Sequence, residues 1–152
     1  MIRCIPKGVC SWDFFLDGEG HQGSLEFNWF GEQGVITADH VRFGVRKHGA
    51  LSGHWTLNQD RESVASAQKS GAFTRTFEIQ DAEQTLLLRA DSAPGRSFRV
   101  ERAGEVIVRI TPEHAFTHRA TIETLGQKCG FRTVCFAFWL AVLMWRRAAA
   151  SG

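Results

Sequence analysis

Near the C-terminal end, residues 133–145 read Thr-Val-Cys-Phe-Ala-Phe-Trp-Leu-Ala-Val-Leu-Met-Trp, with Arg132 before them and Arg146-Arg147 after them. A helix of this composition is apolar on every face, so it has no side to turn to water and is buried in protein or in lipid. At 1.5 Å per residue the uncharged stretch reaches roughly 20 Å, short of the roughly 30 Å hydrocarbon core of a bilayer. That length favours a core helix inside the protein. The competing reading is a tail anchor over 129–145, with Arg132 and Arg146 snorkelling to the headgroups of a thinned span.

What surrounds such a helix is read from the rest of the chain. From residue 12 to about 125 the pattern is short apolar or alternating runs punctuated by Gly, Asp, Asn or Pro, which predicts strands. These fall at 12–17, 24–29, 34–38, 41–48, 51–58, 63–69, 73–80, 85–90, 97–102, 105–110 and 116–125. Ala103-Gly104 is a two-residue hairpin signal. Residues 1–10 read as an N-terminal lead, and 129–147 as the helix that fills the sheet. The expected fold is mainly β, a closed antiparallel barrel of about 12 short strands around a central hydrophobic C-terminal helix. No linker or shift in composition divides the 152 residues, which predicts a single domain over 1–152.

An internal repeat supports the meander. A gapless shift of 43 residues lays 55–79 over 98–122, placing Glu62 on Glu105, Phe73 on Phe116, Thr74 on Thr117 and Ile79 on Ile122. Trp55 falls on Phe98, Leu57 on Val100 and Val64 on Ile107, so apolar character is kept. Two related β-meander units in one closed sheet fit this pattern better than propeller blades, whose signatures are missing.

Composition narrows the function. With 43% hydrophobic and 22% charged residues, disorder and fibres are excluded. A net charge of +2 is too small for a dedicated nucleic-acid binder. The first ten residues hold no apolar run long enough for a signal peptide, so the expected location is cytoplasmic. Cys4, Cys10, Cys129 and Cys135 are then expected as reduced thiols, and their spacing is wider than a zinc knuckle.

Three motifs bear on chemistry. Gly18-Glu-Gly-His-Gln-Gly23 matches G-x-G-x-x-G, but a strand pattern follows where a dinucleotide site needs a helix, so it reads as a hairpin. His114 and His118, with Glu113 beside them, lack the order of a helical zinc hydrolase and read as structural residues, with Arg75 placed opposite His118 by the repeat. No Ser- or Cys-centred constellation stands out. The expectation is a protein with no catalytic residues, no cofactor and no metal.

The run Trp55-Thr-Leu, the stretch Ser63-Val-Ala-Ser-Ala-Gln-Lys69, Phe77-Glu-Ile, Ser97-Phe-Arg-Val100, Gly104-Glu-Val-Ile-Val-Arg-Ile110 and the terminal apolar helix with its Arg-Arg together resemble the tubby C-terminal-like superfamily. That superfamily includes tubby domains, phospholipid scramblases and LURP-one-related proteins. The resemblance spans roughly residues 50–147. It implies a barrel closed around a hydrophobic C-terminal helix, with shortened or missing strands in the Gly-rich N-terminal third. Ala65 and Ala67 share a strand face, and Ala137 and Ala141 lie four apart on the helix, as close strand–helix contact would require.

Basic residues supply the remaining candidate site. Arg96, Arg99, Arg102 and Arg109 gather around the Ala103-Gly104 hairpin, with Lys69 elsewhere on the strands. They read either as a solvated face offset by Glu101 and Glu105 or as a site for anionic phospholipid headgroups, since Arg matches phosphate oxygens bidentately. The resemblance favours the lipid option, because tubby domains bind phosphoinositides. The resulting expectation is a non-enzymatic binding or scaffold module that contacts anionic phospholipid or a protein partner, with peripheral membrane contact. Its alternative is a tail-anchored protein with a cytosolic β domain.

Overall fold

Twelve strands run in sequence order around a closed antiparallel barrel, and the chain's last element fills it. The structure is a computed structural model that describes residues 1–9, 11–92, 95–114, 116–126 and 129–152. The strands are β1 Ile2–Pro6, β2 Phe14–Gly18, β3 His21–Phe27, β4 Gly34–Ala38, β5 Val41–Lys47, β6 His54–Gln59, β7 Glu62–Lys69, β8 Thr76–Asp81, β9 Gln84–Ala90, β10 Phe98–Arg102, β11 Glu105–Pro112 and β12 Ala120–Thr124. Helix α1, Phe131–Ser151, follows. β1 pairs with both β12 and β2, so no sheet edge is left open.

The N-terminal segment differs from the lead expected for it. Ile2 and Cys4 alternate inward and pair with Ile122 and Ala120, so this stretch is the strand that closes the barrel. The Gly-rich third likewise holds five strands, β1–β5, of five to seven residues each. Gly20, Gly31 and Gly49 sit in turns, Gly34 and Gly44 lie within strands, and Gly23 lies against the helix. Gly23 on β3 faces the Phe131 ring, and a Cβ there would lie 2.8 Å from the Thr37 carbonyl oxygen and 3.1 Å from that ring.

Strand pairing shows that the repeat has three copies. Cys4, Val45 and Leu88 pair with Ala120, Gly34 and Phe77 in turn. The same three also pair with Leu16, Leu57 and Val100 on their other sides. Leu16, Leu57 and Val100 then pair with Gly23, Ala65 and Val108. Leu25–Ile36, Ala67–Ile79 and Ile110–Ile122 complete the set. The barrel is therefore three four-stranded meanders, β1–β4, β5–β8 and β9–β12. The first escaped a gapless shift because β2–β3 lacks the bulge that β6–β7 and β10–β11 carry after Leu57 and Val100, and because Leu25 to Ile36 is one residue shorter than Ala67 to Ile79 or Ile110 to Ile122.

The two ends of the barrel are built differently. Five tight connections, at 19–20, 39–40, 60–61, 82–83 and 103–104, have two residues each. In the first, second and fifth both residues have positive φ, as type I′ hairpins require. All six connections at the other end, 7–13, 28–33, 48–53, 70–75, 91–97 and 113–119, are longer.

α1 starts at the hairpin end and leaves through the long-loop end, leaning on β3 and β4. Every residue from Thr133 to Trp145 is buried. Phe14 meets Phe138 edge-on at 5.0 Å and Phe27 stacks on Trp139 at 4.5 Å, so the helix supplies the core.

Candidate functional site

The helix fills the barrel interior, so the surface is where a ligand can bind. The five basic residues singled out from the sequence do not converge. Arg99 and Arg109 face each other across β10–β11, and Arg89 continues the row on β9. This row is offset: Arg99 binds Asp91 at 2.7 Å and lies 3.4 Å from Glu101, while Arg109 pairs across from Glu123. Arg102 sits at the hairpin end and donates to Gln84 at 3.3 Å. Lys69 and Arg96 stand at the long-loop end, where Arg99, at the start of β10, is already matched by Asp91.

There they join a collar around the emerging helix. Arg96 donates to the His114 carbonyl at 2.7 Å and lies over the Trp145 ring, while Trp145 Nε1 returns a hydrogen bond to the Arg96 carbonyl at 2.9 Å. Lys69 Nζ donates to the Gly71 and Ala72 carbonyls at 2.6 and 3.1 Å. Burial, and then the nearby Arg147 charge, lower its pKa. Arg146 donates to the Gly31 carbonyl at 3.0 Å and covers Phe27. Arg147 and Lys47 both bind Glu32. The signal for this collar was the Arg-Arg pair, which the sequence marks only as a helix flank.

The collar has a consistent chemistry. The hydrogen bonds of Lys69, Arg96 and Arg146 go to neutral carbonyls, so their charges stay available to an anion, whereas Arg147 and Lys47 are matched by a carboxylate. Side chains also tie neighbouring loops together. Arg75 reaches from 70–75 to the Gly95 carbonyl at 2.6 Å, and Arg96 reaches from 91–97 to 113–119. His118 stacks on Trp12 at 4.0 Å and its Nδ1 lies 2.8 Å from the Ser11 carbonyl, joining 113–119 to 7–13. The rim is thus pre-organised.

His118 accordingly sits in a loop, not on the strand expected at 116–125, because β12 begins at Ala120. Among the described residues no group of three or more His, Cys, Asp or Glu side chains could hold a metal ion. The G-x-G-x-x-G stretch is the β2–β3 hairpin, with His21 Nδ1 2.5 Å from Asp39 and its ring stacked on Phe131. Cys4 and Cys135 are buried and Cys129 is half-buried. Burial raises all three thiol pKa values, that of Cys129 to about 11. Cys10 lies outside the described residues. A cleft of about 640 Å³ opens beside the helix N-terminus, lined by Glu19, His21, Cys129 and Phe131 among others.

No family model, no curated protein and no solved structure matches this chain.

Proposed function

We propose that this chain is a non-enzymatic, tubby-like barrel module of the LURP-one-related and scramblase-like kind, acting on the cytoplasmic side of a membrane by binding anionic phospholipid headgroups. The observation that carries this reading is the collar at the helix exit, where Lys69, Arg96 and Arg146 are held by neutral carbonyls and not by carboxylates. Held cations on a pre-formed rim suit phosphate oxygens, and each adds about 1 kcal/mol near an anionic surface. The enclosed apolar helix supports the tubby-like assignment. It also favours a core helix over a tail anchor: α1 is long and apolar enough to cross a bilayer, but its residues Thr133–Trp145 are already covered by strands.

Vesicle sedimentation tests the reading. The chain should pellet with phosphatidylserine-containing vesicles, release at high salt and ignore pure phosphatidylcholine. Lys69→Gln with Arg146→Gln should weaken binding more than tenfold, since two surface charges are lost. Arg99→Gln with Arg109→Gln should matter less, because Asp91, Glu101 and Glu123 already offset that row. No binding to anionic vesicles defeats the proposal.

A further inference from the structure

Among the described residues, six large apolar side chains are at least 83% exposed: Val9, Trp29, Phe30, Leu51, Phe73 and Phe116. All lie in the long loops, distributed over 7–13, 28–33, 48–53, 70–75 and 113–119, and none lies in a two-residue hairpin. Single exposed apolar residues are common on protein surfaces, but five loops at one end each raising one or two of them is a directional arrangement. Phe73 and Phe116 occupy equivalent places in the repeat, and Phe30 stands a further 43 residues before Phe73. The helix also exits here.

Charge follows the same axis. Each of the five hairpins has an acid in or beside its turn: Glu19, Asp39, Asp60, Glu83 and Glu105. Only Arg61 and Arg102 offset them in or beside those turns, whereas at the long-loop end the four acids Asp13, Glu32, Asp91 and Glu113 are outnumbered two to one by Lys and Arg, among them Lys69, Arg96 and Arg146. Such a molecule is turned by an anionic surface so that the acids point away.

We infer that the long-loop end inserts its apolar tips into the acyl boundary of an anionic bilayer, so that the barrel stands on the membrane with its helix C-terminus facing the lipid. This deepens the phospholipid reading above and rests on it. The tips stand on separate loops, and a fluid acyl layer can close around each one. Inserted aromatic and aliphatic side chains beneath a ring of cations are how peripheral proteins hold an interface.

Trp29 makes the test direct, because it is exposed while Trp12 is half-buried and Trp55, Trp139 and Trp145 are buried. With phosphatidylserine-containing vesicles, the emission of the full chain should shift blue, and brominated acyl chains should quench it. Trp29→Phe should keep binding and lose most of the quenching. Phe30→Ser, Phe73→Ser and Phe116→Ser should each weaken vesicle binding about tenfold or more, with the melting midpoint unchanged because these rings are outside the core. Binding that survives all three serines together, without quenching in the wild type, overturns insertion and leaves the headgroup reading standing. Failure of the wild type to bind overturns both. Lipid-free self-association that the three serines abolish overturns insertion as well, since the tips would then be covered by a second copy.

Discussion

Arg147, near the end of the helix, holds Glu32 through two guanidinium nitrogens, Nη2 lying 2.6 Å from Oε1 and Nε bonding Oε2. The two residues are 115 positions apart, on the last element and on the β3–β4 loop. Lys47 Nζ reaches the same carboxylate at 2.7 Å, and both cations lie over the Trp55 ring. The pair fastens the helix where it leaves the barrel, just below the apolar tips.

This latch gives stability a defined acid limit. Burial opposes ionisation of Glu32, but hydrogen bonds from Arg147 and Lys47 outweigh it and hold the carboxyl at about 2, below its ordinary 4.5. The unfolded chain therefore takes up this proton first, and the stabilisation is present above pH 4.5 and is lost as pH falls toward 2. With the side chain 21% exposed, the loss amounts to about 2–3 kcal/mol. Urea unfolding at pH 5 and pH 3 should show about half of this drop in the wild type and a smaller one in Glu32→Gln. Equal drops in the two proteins would show that the latch is not responsible.

Removing the helix should remove the fold. Phe136, Phe138 and Trp139 are fully buried against inward-facing strand residues. One Phe→Ala in such a core costs about 3–5 kcal/mol against a total stability of about 5–15 kcal/mol. A chain ending at Arg132 should be insoluble or lack a cooperative melt, and Leu140→Asp should unfold the full chain. A truncated chain that is monomeric and melts cooperatively would return the helix to the membrane.

The start of the helix depends on one acid. Asp81 is buried and accepts hydrogen bonds from Arg132 Nη2, at 2.7 Å, and from Thr133 Oγ1. The equivalent positions of the other meanders, two residues after Ile36 and Ile122, are Ala38 and Thr124, so this carboxylate marks where the helix attaches. Asp81→Ala and Thr133→Val should each cost about 1–3 kcal/mol. A double-mutant cycle should give a sum clearly above the cost of the double variant, and strict additivity would argue against a direct bond.

Gly23→Ala should destabilise by about 1–3 kcal/mol, because the new methyl meets the Thr37 carbonyl and the Phe131 ring, neither of which can withdraw freely. Gly44→Ala, with nothing within 4 Å of its Cβ, is the matched control and should be nearly neutral in thermal melts. Similar losses in both would point to strand propensity instead of the contact with the helix.

The barrel was legible because its cause is local. Alternation along each strand and a segment apolar on all sides require one another, since the strands need a filling and the helix a cover. Turn residues such as Ala103-Gly104 mark the hairpins for the same reason. The rim was legible only as an error: predicted strands at 24–29, 51–58, 73–80 and 116–125 ran on to take in Trp29, Leu51, Phe73 and Phe116. Periodicity assigns a large apolar residue to a buried face, whereas these four stand in water beyond the strand ends. The basic residues misled in the same way. Arg96, Arg99 and Arg102 are close in sequence, but a strand carries its residues from one end of the barrel to the other. Arg102 therefore lies at the hairpins, while Arg96 meets Lys69 and Arg146 at the helix exit. The sequence by itself determined that strands would enclose a helix, because burial of apolar surface is written in local pattern. Which loops share an end, and which charges gather there, was decided only by the tertiary structure, because closing the barrel juxtaposes residues whose separation along the chain carries no trace of the contact.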